Sequence, residues 1–184
     1  LREKLVLASS SPRRSEILQR AGWPHEIMVA GIDETVFPGE DAATYVQRLA
    51  RSKAEAVAAK LDQGLVLGAD TTVVVDNQIL GQPTDDADAR RMLDLLNARW
   101  HEVLTGVALV RVGGATRVAY ETTRVRFAEM SAKEIDWYIS TREPFGKAGA
   151  YGIQGKASLL IEEIQGDYFN IMGLPIRLVY ELSV

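Results

Sequence analysis

The sequence predicts an α/β or α+β fold built on a mixed sheet, and three observations predict it. Strand-like and helix-like segments alternate along the chain; a nearly continuous apolar, β-branched run over 65–75 reads as a buried strand; and two extended segments flank Gly113-Gly114 as a hairpin. The 184 residues, 47% apolar and 25% charged, are enough for one sizeable core or for two lobes sharing a cleft, and a single domain over 1–184 is expected.

Leu5 to Ala8 is a short apolar strand that breaks into Ser9-Ser10-Ser11-Pro12-Arg13-Arg14. Ser11 suits an N-cap and Pro12 the first helical position, which puts Arg13 and Arg14 in the first helical turn. Two cations there oppose the helix dipole at a few tenths to about 1 kcal/mol each unless an anion joins them. With free N–H groups and serine hydroxyls beside them, the pair reads as a phosphate site; the alternative is that both arginines simply reach into solvent. Gly22 ends this helix. A short strand over 25–29 then leads to an acidic loop, Gly31-Ile32-Asp33-Glu34.

Residues 41–60 carry helical period, with Tyr45, Val46, Leu49, Ala50 and Val57 on one stripe. Lys53 falls on that stripe, either snorkelling from its edge or directed into a cleft to meet phosphate oxygens. Asp70 stands in the middle of the buried strand 65–75. An unpaired carboxylate is costly there, so it must be hydrogen-bonded, paired, metal-bound or facing an open cleft. Asp76-Asn77 turns the chain into a strand over 78–80, and Gly81-Gln82-Pro83 is a loop before a helix over 85–97 with Met92, Leu93 and Leu96 inward. Strands over 101–112 and 116–127 make the hairpin, and Ser131 and Glu134 stand at capping-box spacing for a helix to Ser140. Glycine and small residues dominate 143–155, which suggests a backbone that something approaches closely. Residues 157–164 read as strand, and Pro175 opens a terminal helix to about 182.

Composition excludes several function classes. A net charge of −4 argues against nucleic-acid binding through a broad basic surface, so no stable nucleic-acid complex is expected. Without cysteine, and with only His25 and His101, thiolate chemistry and a histidine-rich zinc site are unsupported; a metal here would be a hard cation held by oxygen. No apolar run approaches the ~20 residues of a membrane span, and a cytoplasmic location is expected. The residues that remain suit hydrolysis of a phosphate ester or anhydride. Arg13, Arg14 and Lys53 supply positive charge, while Glu34 and Asp70 are acids that could share one Mg²⁺ or Mn²⁺, an ion content with one or two carboxylates plus phosphates and waters.

Four motifs, SSSPRR at 9–14, LGADTTV at 67–73, KAGAYGIQG at 147–155 and GDYFNIMGLP at 166–175, resemble the Maf family in the right order and over essentially the whole chain. The resemblance implies a long, curved mixed sheet flanked by helices, with two lobes around a deep cleft in the Maf/ITPase-like manner. It implies a nucleoside triphosphate pyrophosphatase that cuts between the α and β phosphates, with Asp70 as the proton acceptor and Ser9, Arg13, Arg14, Glu34 and Lys53 as further polar site positions. Positions matching Arg13, Thr71 and Gln154 track with the subgroup that prefers dTTP and UTP. A glutamine amide offers one donor and one acceptor to a uracil or thymine edge, which suits Gln154; a loop glutamine bonding its own backbone is the plainer reading. Family members are often homodimers. Two positions depart from the family pattern: Gln82 stands where a lysine is usual, and Gly146 where an aspartate commonly precedes K-A-G. Beside the pyrimidine-selective enzyme of nucleotide-pool cleaning, two readings stay open, a non-enzymatic nucleotide- or nucleic-acid-binding regulator of cell division and a purine-selective pyrophosphatase.

Overall fold

A computed structural model describes residues 3–184. Among the described residues, seven strands form one mixed sheet: β1 (Leu5–Leu7), β2 (His25–Ile27), β3 (Leu65–Val75), β4 (Gln78–Leu80), β5 (Trp100–Arg111), β6 (Thr116–Phe127) and β7 (Ile161–Gln165). Their order is β2-β1-β3-β5-β6-β7, with β4 paired to β3 off this path. β1 runs parallel to both β2 and β3, whereas β4 pairs antiparallel with β3 and β7 with β6. The helices are α1 (Pro12–Arg20), α2 (Ala42–Ala58), α3 (Asp86–Leu96), α4 (Ala132–Ser140), α5 (Tyr168–Met172) and α6 (Ile176–Ser183).

Local chemistry explains most boundaries. α1 ends in a Schellman motif: Gly22 lies at φ +63°, its N–H donates to Gln19 O, and Trp23 N–H donates to Leu18 O. α2 is capped by Asp41, whose carboxylate accepts from Thr44 N–H, and α4 by the expected Ser131/Glu134 capping box. Asp76 and Asn77, at φ 49° and 61°, make the two-residue turn that folds β4 back on β3.

Two expectations are corrected, and one helix went unread in the sequence. Ser11 occupies the N-cap of α1, but its side chain caps nothing; its own N–H instead donates to Ser9 Oγ at 3.2 Å. The strand expected over 157–164 is a 3₁₀ turn (Lys156–Leu159) followed by β7, because Ala157 and Leu160 face one core while Ser158 and Leu159 between them face out. α5, five residues long, carried too few turns for a period to be visible.

The chain divides into two compact units. One comprises the described residues up to Thr71 with Thr105–Glu121 and Gly173–Val184; the other comprises Thr72–Leu104 and Thr122–Met172. The first has a core of small and branched residues, Ala50, Ala54, Val57, Val66, Ala108 and Val110 among them. The second is built on larger side chains, including Leu93, Leu96, Phe127, Ile135 and Tyr138. In the first, α2 lies unusually close to the sheet. A Cβ on Gly68 of β3 would stand 2.1 Å from Ala50 O, and one on Gly106 of β5 would stand 2.2 Å from Val46 O, so only glycine fits either place.

Candidate active site

Most of the singled-out residues fall in the first unit, around the end of its parallel strands. β1 stops at Leu7, level with Leu67, and β3 continues for three further residues to Asp70, about 10 Å along the strand. Beyond the carboxyl ends of β1 and β2 lie Ser9 and the loop bearing Glu34. Such a place is where ligands settle on open sheets with parallel strands.

Successive residues of a strand face opposite ways, and Asp70 and Thr71 organise two clusters accordingly. On the α2 side, Lys53 Nζ donates to Asp70 Oδ1 at 2.6 Å and pairs with Glu34 Oε1 at 2.8 Å. The side chains of Lys53 and Asp70 are only 15% and 10% exposed, while that of Glu34 is 57% exposed. Lys53 does not snorkel to solvent: its ammonium meets two carboxylates. Burial raises the Asp70 pKa above the usual carboxylate value, and Lys53 and Arg14 offset that only in part.

On the other side, Arg14 is buried and its guanidinium is held at three corners by neutral groups. Nε donates to Gly173 O at 2.8 Å, Nη1 to Ser9 Oγ at 3.0 Å and Nη2 to Thr71 Oγ1 at 3.1 Å. Thr71 Oγ1 is itself 2.9 Å from Thr105 Oγ1. Burial lowers the Arg14 pKa, with Asp70 and Glu34 near enough to counter it. A guanidinium has five N–H donors, so the fork retains two for an anion. Arg13 differs: half-buried, it makes no hydrogen bond or ion pair among the described residues, and burial alone lowers its pKa. Three cations against two carboxylates leave this neighbourhood positively charged inside an acidic protein.

The loop bearing Glu34 is latched to α2. Tyr45 Oη donates to Glu34 O at 3.0 Å, and Arg48 donates to Thr35 O at 2.9 Å while gripping both carboxylate oxygens of Glu40. Burial, then the charges of Asp70 and Glu34, push the Tyr45 pKa up to about 12. Sequence reasoning missed Tyr45, Arg48, Thr105 and Gly173 as site residues. Thr105 left one visible signal, a lone hydroxyl within the apolar run Val103 to Val110; Gly173 left its place in MGLP, where φ is +113°.

Gln154 belongs to the second unit. It is the exposed tip of a turn between two 3₁₀ segments, and its carboxamide makes no hydrogen bond among the described residues, so the plainer self-bonding reading is not what the structure has. The close approach expected over 143–155 comes from the protein itself: a Cβ on Gly149 would stand 2.8 Å from the Val73 side chain, and one on Gly155 2.4 Å from the Glu143 carboxylate. Gln82 and Gly146 are both exposed, Gly146 at φ +73°.

Among the described residues no group of three or more His, Asp or Glu could hold a metal. The donor set available is Glu34 with Asp70, both within reach of one ammonium. Two carboxylates suit a hard divalent cation that takes its other ligands from phosphates and water.

The family described as "Maf-like protein" matches residues 4–183. A dTTP/UTP pyrophosphatase from Symbiobacterium thermophilum is 52% identical over 175 residues, covering 95% of this chain and 90% of the relative. Another from Bacillus cytotoxicus is 50% identical over 182 residues, covering 98% and 95%. Among solved structures, the Ham1 protein of Staphylococcus aureus aligns at a TM-score of 0.49 and 16% identity over 69% of this chain and 73% of its own.

Proposed function

The chain belongs to the Maf family, and from that premise we propose that it is a nucleoside triphosphate pyrophosphatase, a hydrolase that cleaves dTTP and UTP to the monophosphate and pyrophosphate. The names of relatives about half identical over nearly the whole chain support the activity and the bases. The observation that carries the chemistry is the buried Asp70 carboxylate, ion-paired to a lysine that also binds Glu34 and flanked by the Arg14 fork.

In this reading residues 1–184 act as one catalytic domain. The triphosphate lies against Arg13, the free donors of Arg14 and the helix N-terminus behind them, where positive charge is in excess. Ser9 and Thr71 hold the Arg14 plane, so the fork meets phosphate without first reorganising. Asp70 accepts a proton from the attacking water as the water oxygen bonds to the α-phosphorus. The bond from that phosphorus to the α–β bridging oxygen breaks, and pyrophosphate leaves. Lys53 keeps the ionised form of Asp70 populated despite its burial. Glu34 and Asp70 would hold a divalent cation, Mg²⁺ or Mn²⁺, which supplies charge against the triphosphate when bound. Gln154 reads the pyrimidine edge. The proposal extends to a cytoplasmic homodimer that acts on free nucleotides and forms no stable nucleic-acid complex.

The test is pyrophosphate release from dTTP, UTP, CTP, ATP, GTP, ITP and 7-methyl-GTP, with and without Mg²⁺ or Mn²⁺, for the native protein and Asp70→Asn. Metal-dependent release from dTTP and UTP, reduced by about 10²-fold or more in the variant, is the expected result. Faster turnover of ITP would favour the purine-selective reading. Nucleotide binding without any turnover would favour a regulator.

A further inference from the structure

Gln154 can discriminate bases only if its backbone is held in place, because an exposed glutamine at the tip of a loose turn would find a partner on any base. The turn Gly152–Ala157 is held at both ends by one pair of side chains. Tyr138, on α4, is fully buried, and its hydroxyl accepts from Gly152 N–H at 3.3 Å, just before the tip. The same hydroxyl donates to Glu143 Oε1 at 3.0 Å. Glu143 in turn accepts from Lys156 N–H at 2.9 Å and Ala157 N–H at 3.2 Å, just after the tip. Gly155 N–H closes the turn on Gly152 O at 3.1 Å. Gly155 has no Cβ to collide with the carboxylate behind it. The backbone of Glu143 is tied as well, since Lys147 Nζ donates to its carbonyl at 2.6 Å.

We propose that the Tyr138–Glu143 pair is a positioning clamp that sets pyrimidine selectivity by fixing the turn on which Gln154 sits. This rests on the reading of Gln154 as the residue that meets the base. Uracil offers an acceptor at O4 and a donor at N3, whereas cytosine offers a donor and an acceptor in those places. Holding the turn fixes how far and in which plane the carboxamide reaches, so that its two hydrogen bonds to the base form together; on a released turn each forms singly, which either pattern allows. Tyr138 and Glu143 touch no substrate. They act through Gln154, so their loss should appear in base preference and KM, not in the chemical step.

The experiment compares UTP and CTP hydrolysis by the native protein, Tyr138→Phe, Glu143→Gln, Gln154→Ala and the Gln154→Ala/Tyr138→Phe double variant. Tyr138→Phe removes one hydroxyl and keeps the buried ring. It should raise KM for UTP by about three- to tenfold, the worth of one or two hydrogen bonds, leave kcat within about twofold, and cut the UTP-over-CTP preference by a similar factor. Glu143→Gln should move the preference in the same direction. Gln154→Ala should lose at least as much, and the double variant should lose no more than Gln154→Ala alone. Losses that add would show that Tyr138 acts independently of Gln154 and overturn the clamp. Preference kept in Tyr138→Phe and Glu143→Gln but lost in Gln154→Ala would overturn the clamp while leaving Gln154 as base reader. Preference unchanged in Gln154→Ala would remove the base reader, and the clamp with it; a native protein that releases no pyrophosphate from UTP would remove both.

Discussion

Arg13 and Arg14 are neighbours in sequence and opposites in the fold. Arg14 is fixed by Gly173 O, Ser9 and Thr71, while Arg13 is uncommitted among the described residues. A lysine cannot reproduce a three-cornered planar fork. Arg14→Lys is therefore expected to lower kcat/KM for UTP by about 10- to 100-fold, the worth of charged hydrogen bonds, and Arg13→Lys to cost several-fold less; steady-state kinetics on the two variants reads the difference. Asp70 shows a second effect at this scale. Burial raises its pKa, so ionised Asp70 weakens the folded state at neutral pH, and that cost disappears below the ordinary carboxylate pKa. Asp70→Asn should thus raise Tm at pH 7 while lowering turnover by about 10²-fold or more, and show no such gain near pH 3.5. Both effects follow from a charge placed where only the reaction needs it. From the sequence, Asp70 was legible because a carboxylate in an apolar strand is conspicuous. The Arg14 fork was not, since two of its three acceptors lie 57 and 159 residues away.

At the scale of elements, the pairing of Lys53 with Asp70 depends on how closely α2 lies on the sheet. Gly68 precedes Asp70 by two residues on the same face of β3, and its missing side chain accommodates the carbonyl of Ala50, three residues before Lys53. A methyl there collides with backbone and not with a yielding side chain. Gly68→Ala is expected to destabilise the protein by about 1–3 kcal/mol or more and to lower kcat by parting Lys53 from Asp70. Urea unfolding together with UTP turnover measures both; a variant of native stability and rate would mean that α2 shifts freely. The longer helices were legible, because the stripe of α2, the inward residues of α3 and the capping box of α4 are local. The stretch after Gly155 was not, because its strand begins only where β6 offers a partner at Ile161.

For the molecule as a whole, a buried histidine of the second unit sets an acid limit on stability that is unrelated to the proposed chemistry. His101 is buried between Phe127 and Tyr151, with Nε2 2.8 Å from Tyr151 Oη, and burial drops its pKa to about 4. Between about pH 6.5 and 4 the unfolded chain binds a proton that the folded chain refuses. The His101 contribution should be full above pH 6.5 and fall by about 3 kcal/mol as the pH drops to 4. Urea midpoints at pH 7, 5.5 and 4 should show a shallower decline for His101→Gln than for the native protein. The mixed α/β architecture, most helices and strands, and the acids and cations suited to phosphate chemistry can be read from the chain alone. Those properties reside in local period, caps and residue type. The pairing of Lys53 with both acids, the hold of Thr71 on Arg14 and the grip of Glu143 on the turn of Gln154 come from the tertiary structure. Each is a distance between residues far apart in the chain, and such distances are set by packing, which no local pattern encodes.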